Sequence, residues 1–267
     1  MKFVFFGGRE SRFAEIILQS LISAGIEPVE TIRDAKKPID IEHLKSLDVD
    51  FFIVAAFGKI IKQEVINIPH KGVIGVHPSL LPKYRGASPV QSVILNNEKE
   101  TGTALFLIDK DVDHGPVIAM EKLNIEKDDT YTSLIEKLAK LSVKLIIKEL
   151  PEYIAGEIKP KEQDHSQATF TKKFSGEDAY INLNDDAESN WFKIRALNPE
   201  PGTYTILKLK NNKELRLKIL EANLIPVSNK SDSGEDNKLE LVTIQPEGKK
   251  SMTYSAFLNG YKDKIIS

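Results

Sequence analysis

Apolar residues fall along this chain in short runs separated by amphipathic stretches. Residues 2–6 (KFVFF) form an apolar run closed by Gly7-Gly8, which predicts a strand. Over residues 11–24 the stripe Phe13, Ile16, Ile17, Leu21 and Ala24 recurs at helical spacing, and Gly25 stands where a helix stops. A strand passing through Gly-Gly into a helix opens a βαβ unit and offers a helix N-terminus to an anion. There is no G-x-G-x-x-G, so a tight turn is the simpler reading. Residues 50–56 (DFFIVAA), 72–76 (GVIGV) and 103–108 (TALFLI) read as further strands, the first continuously apolar as buried parallel strands are. Residues 131–150 predict a long helix with Leu134, Leu138, Leu141, Leu145 and Ile146 on one face. Strands alternating with helices predict an open α/β sheet whose ligands bind beyond the strand carboxyl ends.

The pattern changes after Pro151. Residues 156–173 are polar and linker-like, and residues 186–197 predict a short helix halted by Asn198-Pro199 and Pro201-Gly202. Short strands then follow at 203–207, 214–221 and 239–244, which suggests a small barrel-like domain. Between the last two, residues 228–238 (SNKSDSGEDNK) have no apolar anchor and are expected to be mobile. The expected domains are 1–155, a connecting segment 156–197, and 198–267.

Composition narrows the function. The 267 residues are 41% hydrophobic and 28% charged, ordinary values for a globular protein with room for two domains. No apolar run nears the roughly 20 residues that span a bilayer. The absence of cysteine removes disulfides, thiolate metal sites and a Cys nucleophile. A soluble cytoplasmic protein is expected, acting as a monomer, with no membrane partner and no metal. The formal net charge of −2 provides no global attraction to nucleic acid, so such binding would need a local patch.

Candidate chemistry concentrates in GVHPSLLPKYRGASP, residues 75–89. It follows a buried strand, which puts His77 at that strand's carboxyl end, and its prolines and glycines make residues 78–89 an ordered loop. A histidine at a strand end is often only structural. The second piece is Asp109-Lys110-Asp111-Val112-Asp113-His114-Gly115-Pro116, which comes after the TALFLI strand and reaches the same sheet edge if those strands are neighbours. A His and an Asp converging there can hold a proton-transfer system. The residues alone leave Asp109, Asp111 and Asp113 equally eligible, and a solvated acidic loop remains an alternative.

HPSLLPKYRGASPVQ with the DVDHGP loop resembles the formyltransferases that use 10-formyltetrahydrofolate, a superfamily that includes the glycinamide ribonucleotide and nucleotide-sugar enzymes. ATFTKKFSGEDAYIN, IRALNPEPGTYT and IQPEGKKSM are similar to the methionyl-tRNA formyltransferase family in particular. The resemblance runs from Met1 to about Leu258. It implies a Rossmann-like open sheet with helices on both faces, followed by a small OB-like β-barrel domain that helps hold tRNA. It implies transfer of a formyl group from 10-formyltetrahydrofolate to the α-amine of initiator methionyl-tRNA. His77 matches the family's catalytic histidine and Asp113 its aspartate. Ser79, Leu80, Leu81 and Pro82 match the loop along the folate, and Phe57-Gly58 a turn beside the pterin. The alternatives are an amino-sugar-nucleotide N-formyltransferase and a non-catalytic folate- or tRNA-binding homologue.

Two departures matter. The family's third catalytic residue is an asparagine two residues before the histidine; here Gly75 stands there, and loss of one oxyanion donor typically slows a reaction roughly 10²–10³-fold. Asparagine at position 75 is accordingly expected to raise the rate. The segment 29–50 is also far shorter than the family's basic, tRNA-gripping insertion, leaving Arg33, Lys36 and Lys37 as a remnant. Compensation is expected from Lys208, Lys210 and Lys218 with Lys249 and Lys250, which form a phosphate-binding patch if they share a face. A solvated strand surface would look the same in sequence.

Overall fold

The computed structural model describes residues 1–226 and 237–265; most of the 228–238 segment lies outside them. The chain divides into two compact units: residues 1–93, 98–127 and 133–172, and residues 94–97, 128–132 and 173–267. Residues 156–172, linker-like in sequence, therefore fold with the first unit, and 173–197 with the second.

In chain order the elements are β1 (Phe3–Gly7), α1 (Arg12–Ser23), β2 (Glu30–Ile32), α2 (Ile41–Ser46), β3 (Phe51–Ala55), α3 (Gln63–Ile66), β4 (Val73–His77), the two-residue β5 (Arg85–Gly86), α4 (Pro89–Leu95), β6 (Glu100–Leu107), β7 (Val117–Asn124), α5 (Tyr131–Ala155) and the two-residue β8 (Phe170–Thr171). The main sheet has the order β2-β1-β3-β4-β6-β7, with flanking helices. Every residue of β1 is buried, and the Phe3 and Phe51 rings stack across the β1–β3 pair at 5.3 Å. Ser11 caps α1, its hydroxyl accepting from the Ala14 N–H at 3.2 Å. The long helix α5 buries Leu134, Leu138, Leu145 and Ile146, as its apolar stripe predicts.

The strand directions correct one expectation. β1 to β4 run parallel, but β6 is antiparallel to β4, with His77 opposite Ala104 and Ile74 opposite Leu107. The 109–116 segment therefore leaves β6 at the opposite edge from His77 and folds back along the sheet to reach it. Apolar runs specify that a strand is buried and say nothing of its direction. β7, α2, α3 and α4 were also not legible, because short or mixed-polarity segments carry little periodic signal.

The second unit contains α6 (Ala187–Leu197), β9 (Tyr204–Lys208), β10 (Glu214–Pro226), β11 (Asn237–Pro246), β12 (Met252–Thr253) and α7 (Tyr254–Tyr261). Its strands form an antiparallel sheet ordered β12-β11-β10-β9. Leu217, Ile219, Ile244 and Phe257, all at most 1% exposed, pack with Ile194 of α6 to form its core. Among the described residues no helix is long and apolar enough to cross a membrane.

Candidate active site

His77 is the last residue of β4 and is 6% exposed. Its Nε2 lies 2.9 Å from the carbonyl oxygen of Tyr84, which can only accept, so Nε2 carries the proton. Its Nδ1 faces Asp113 Oδ2 at 3.5 Å. Both ring nitrogens thus face oxygen. Asp113 Oδ2 also accepts from the Gly86 N–H at 2.7 Å, and Asp113 holds a left-handed backbone, φ 49°. The three aspartates that sequence left equivalent are separated by the fold. Asp109 pairs with His114 at 2.7 Å, Asp111 is exposed, and Asp113 alone meets His77.

The loop after β4 is clamped onto the sheet. Ser79 is fully buried and its hydroxyl donates to the Lys83 carbonyl at 2.7 Å. Leu80 covers Gly102, where an added Cβ would meet its Cδ2 at 2.5 Å, and Leu81 packs with Ala104, Phe106 and Val117. Ser79, Leu80 and Leu81 are thus turned onto the sheet, and Pro82 is half-buried. Phe57 is likewise turned inward: its ring is 3% exposed and meets Phe6 edge-on at 5.4 Å. A contact from the AAFG turn would come from its backbone or from Gly58, which needs its freedom for φ +76°.

Gly75 has a structural partner. It lies directly across from Phe106 in the β4–β6 ladder, and a Cβ at Gly75 would fall 2.3 Å from Phe106 Cε1 and 2.5 Å from Cζ. The ring, 3% exposed, fills the space a side chain at position 75 would need. A side chain at position 75 therefore requires the Phe106 ring to shift.

The cations expected to meet nucleic acid are distributed unequally. The Arg33 guanidinium turns inward and donates to the carbonyls of Gly7 and Gly8 at 3.0 and 3.2 Å and to Glu15 at 2.7 Å. It organises the Gly-Gly turn, and its hydrogen bond holds the Glu15 carboxyl below the usual carboxylate range. Lys36 and Lys37 stand exposed. In the second unit, Lys208, Arg216 and Lys218 alternate with buried residues and share the outer face of β9 and β10. The Arg216 guanidinium sits 3.5 Å over the Tyr204 ring, and Glu214 lies opposite Lys208. Lys210 lies past the end of β9 in the hairpin turn. Lys249 and Lys250 come after β11, where Gln245, opposite Lys218, donates to the Lys249 carbonyl at 2.9 Å.

Two buried residues around Asp113 escaped sequence reading, Arg85 and Gln163. Gln163 donates to the carbonyls of Asp113 and Gly115 at 2.9 and 2.8 Å and accepts from Arg85 at 2.6 and 3.2 Å. No local pattern marks a glutamine in a polar stretch as a neighbour of a residue fifty positions earlier.

Residues 32–150 match the Formyl transferase family and residues 173–262 the Formyl transferase, C-terminal domain. The methionyl-tRNA formyltransferase of Dictyoglomus thermophilum is 42% identical over 234 residues, covering 83% of this chain and 75% of that protein. The chain belongs to the methionyl-tRNA formyltransferase family. The Thermotoga maritima member is 36% identical over 231 residues, 82% of this chain and 73% of its own. Among solved structures, Aquifex aeolicus HypX in complex with tetrahydrofolic acid superposes with TM-score 0.76 at 17% identity, over 98% of this chain and 47% of that one. The Clostridium thermocellum methionyl-tRNA formyltransferase gives 0.64 at 18%, over 91% and 99%. The sugar 3N-formyl transferase WlaRD gives 0.64 at 22%, over 94% and 99%. At these identities the structural likenesses establish the fold.

Proposed function

We propose that this protein transfers the formyl group of 10-formyltetrahydrofolate to the α-amine of initiator methionyl-tRNA. The observation that carries the reading is the buried His77–Asp113 pair, set at the carboxyl end of β4 beneath the clamped Ser79–Pro82 loop. The neutral amine attacks the formyl carbon, giving a tetrahedral oxyanion. The bond from that carbon to N10 then breaks, and the proton lost by the amine finishes on N10. His77 donates from Nε2 toward the developing oxyanion, exchanging its contact with the Tyr84 carbonyl for the substrate while Nδ1 stays on Asp113. Asp113 accepts the amine proton and relays it. Folate lies along the 79–82 loop, with Phe57-Gly58 at the pterin end. We read the rate as reduced by Gly75, because the Phe106 ring stands where a side-chain donor would otherwise be.

The tRNA is held in part by Lys208, Arg216 and Lys218, whose shared face supplies clustered charge on a chain of net charge −2. This face favours tRNA over a sugar nucleotide, which offers few phosphates. Single-turnover formylation of charged initiator tRNA with a radiolabelled donor tests the reading, and no formyl-methionyl-tRNA at saturating enzyme would sink it. Replacing Lys208, Arg216 and Lys218 with alanine is expected to weaken tRNA binding about tenfold. Its log–log salt dependence should flatten, by somewhat less than one unit for each phosphate that is no longer neutralised. Folate affinity should not move. An unchanged salt slope would remove tRNA from this face.

A further inference from the structure

Asp113 is held from two sides by a closed ring of contacts. The Gly86 N–H donates to its carboxylate at 2.7 Å, and Gln163 Nε2 donates to its backbone carbonyl at 2.9 Å. Gln163 Oε1 accepts from Arg85, the residue preceding Gly86 in β5, at 2.6 Å from one terminal nitrogen and 3.2 Å from Nε. The ring therefore runs from Gly86 to Asp113 to Gln163 to Arg85 and back along one peptide bond. Every hydrogen-bonding capacity of the Gln163 amide is used: two protons on the carbonyls of Asp113 and Gly115, two lone pairs on the guanidinium. The orientation of the amide follows from its partners, since reversing it would face donors with donors and carbonyls with a carbonyl oxygen. Gln163 is 7% exposed and Arg85 3%, so water offers little replacement.

From this geometry we infer that Gln163 is a positioning residue for the reaction, fixing the turn that presents the Asp113 carboxylate to His77. A turn with φ 49° at a non-glycine residue is not the chain's own preference and needs such anchors. Arg85 orients the glutamine in its turn, and His165 Nδ1 accepts from the Arg85 guanidinium at 2.9 Å and completes the arginine's setting. The inference rests on the assignment of His77 and Asp113 made above.

Gln163→Glu separates positioning from folding. The carboxylate is isosteric and keeps, with added charge, the contact to Arg85, so the fold retains that anchor. It has no proton for the carbonyls of Asp113 and Gly115, and the turn loses its hold. The expected result is a fall in kcat of about 10²-fold, the scale of an ångström's misplacement of a reacting group. KM for both substrates should stay within about twofold; the melting temperature should fall, since the buried carbonyls of Asp113 and Gly115 lose their donor, with the variant still fully folded at the assay temperature. Parent-like kcat would overturn the inference. So would a fall in kcat matched by raised KM for both substrates, or by partial unfolding at the assay temperature, which would make Gln163 merely structural. Asp113→Asn, assayed alongside, separates the two claims. If it is inactive while Gln163→Glu is not, only the positioning role fails; if it retains full turnover, the catalytic assignment itself fails.

Discussion

Two histidine–aspartate pairs draw their aspartates from the same loop and differ in what surrounds them. His114 and Asp109 meet at 2.7 Å with 33% and 36% of their side chains exposed. His77 and Asp113 meet at 3.5 Å with 7% and 19% exposed. The shorter contact belongs to the more exposed pair. Water competes for an exposed ion pair and screens it, so such pairs contribute ~0–1 kcal/mol. His114 also stacks flat on His165, with ring centroids 4.0 Å apart, as a packed surface side chain does. His77 instead ends a central strand, has both nitrogens directed at oxygen, and faces a carboxylate fixed by the Gly86 N–H. Contact length reports local packing; capacity for proton transfer depends on burial and on which groups converge.

The largest expected effect is at the buried pair. His77→Ala and Asp113→Asn should each reduce kcat by about 10³-fold or more, within the range for a lost general acid or base together with oxyanion stabilisation. Folate and tRNA dissociation constants should stay close to those of the parent. If Asp109→Asn is the more damaging change, the comparison is reversed and the exposed pair carries the chemistry.

The next effect concerns the wall beside His77. Gly75→Asn alone should lower thermal stability and leave turnover no higher, because its Cβ meets the buried Phe106 ring. Combined with Phe106→Val, which clears that space, Gly75→Asn should raise the single-turnover rate by about 10²-fold over Phe106→Val alone, by adding an oxyanion donor. Equal rates in those two variants would mean that another group already serves the oxyanion.

Changes at the exposed pair should be small. Asp109→Asn and His114→Ala are expected to keep kcat within about threefold and to shift unfolding free energy by no more than about 1 kcal/mol in denaturant titrations. A smaller effect still lies at Arg33 and Glu15, another pair near the surface. Arg33 holds the Glu15 carboxyl below its ordinary range through a hydrogen bond, so folding favours the ionised form. Their contribution is present at neutral pH and lost as pH falls through the lowered value. The melting difference between Arg33→Ala and the parent should therefore shrink between neutral pH and about pH 3. A difference constant with pH would assign the role of Arg33 to its carbonyl contacts alone.

Much of this protein was legible without coordinates. The buried runs around Phe3, Phe51, Val73 and Leu105 announced strands, and the stripe from Leu134 to Ile146 announced α5, because burial of one face imposes a period that the chain must carry in its residues. Helices over 11–24 and 186–197 were legible too, and the structure adds that Ser11 and Asp186 cap them. His77 was placeable at a strand end, since a strand followed by Pro-rich sequence must stop there. Strand direction was not legible: a buried run is equally apolar either way, so the antiparallel β6 and the doubling back of residues 109–116 needed coordinates. Nor was the choice among Asp109, Asp111 and Asp113, which depends on which carboxylate a single turn directs inward. The pairing of Gly75 with Phe106 and the ring through Gln163 and Arg85 join residues 27 to 78 positions apart. Local propensity depends on neighbours along the chain, whereas these contacts depend on cross-strand register and on the burial that leaves a polar group with only one partner to reach.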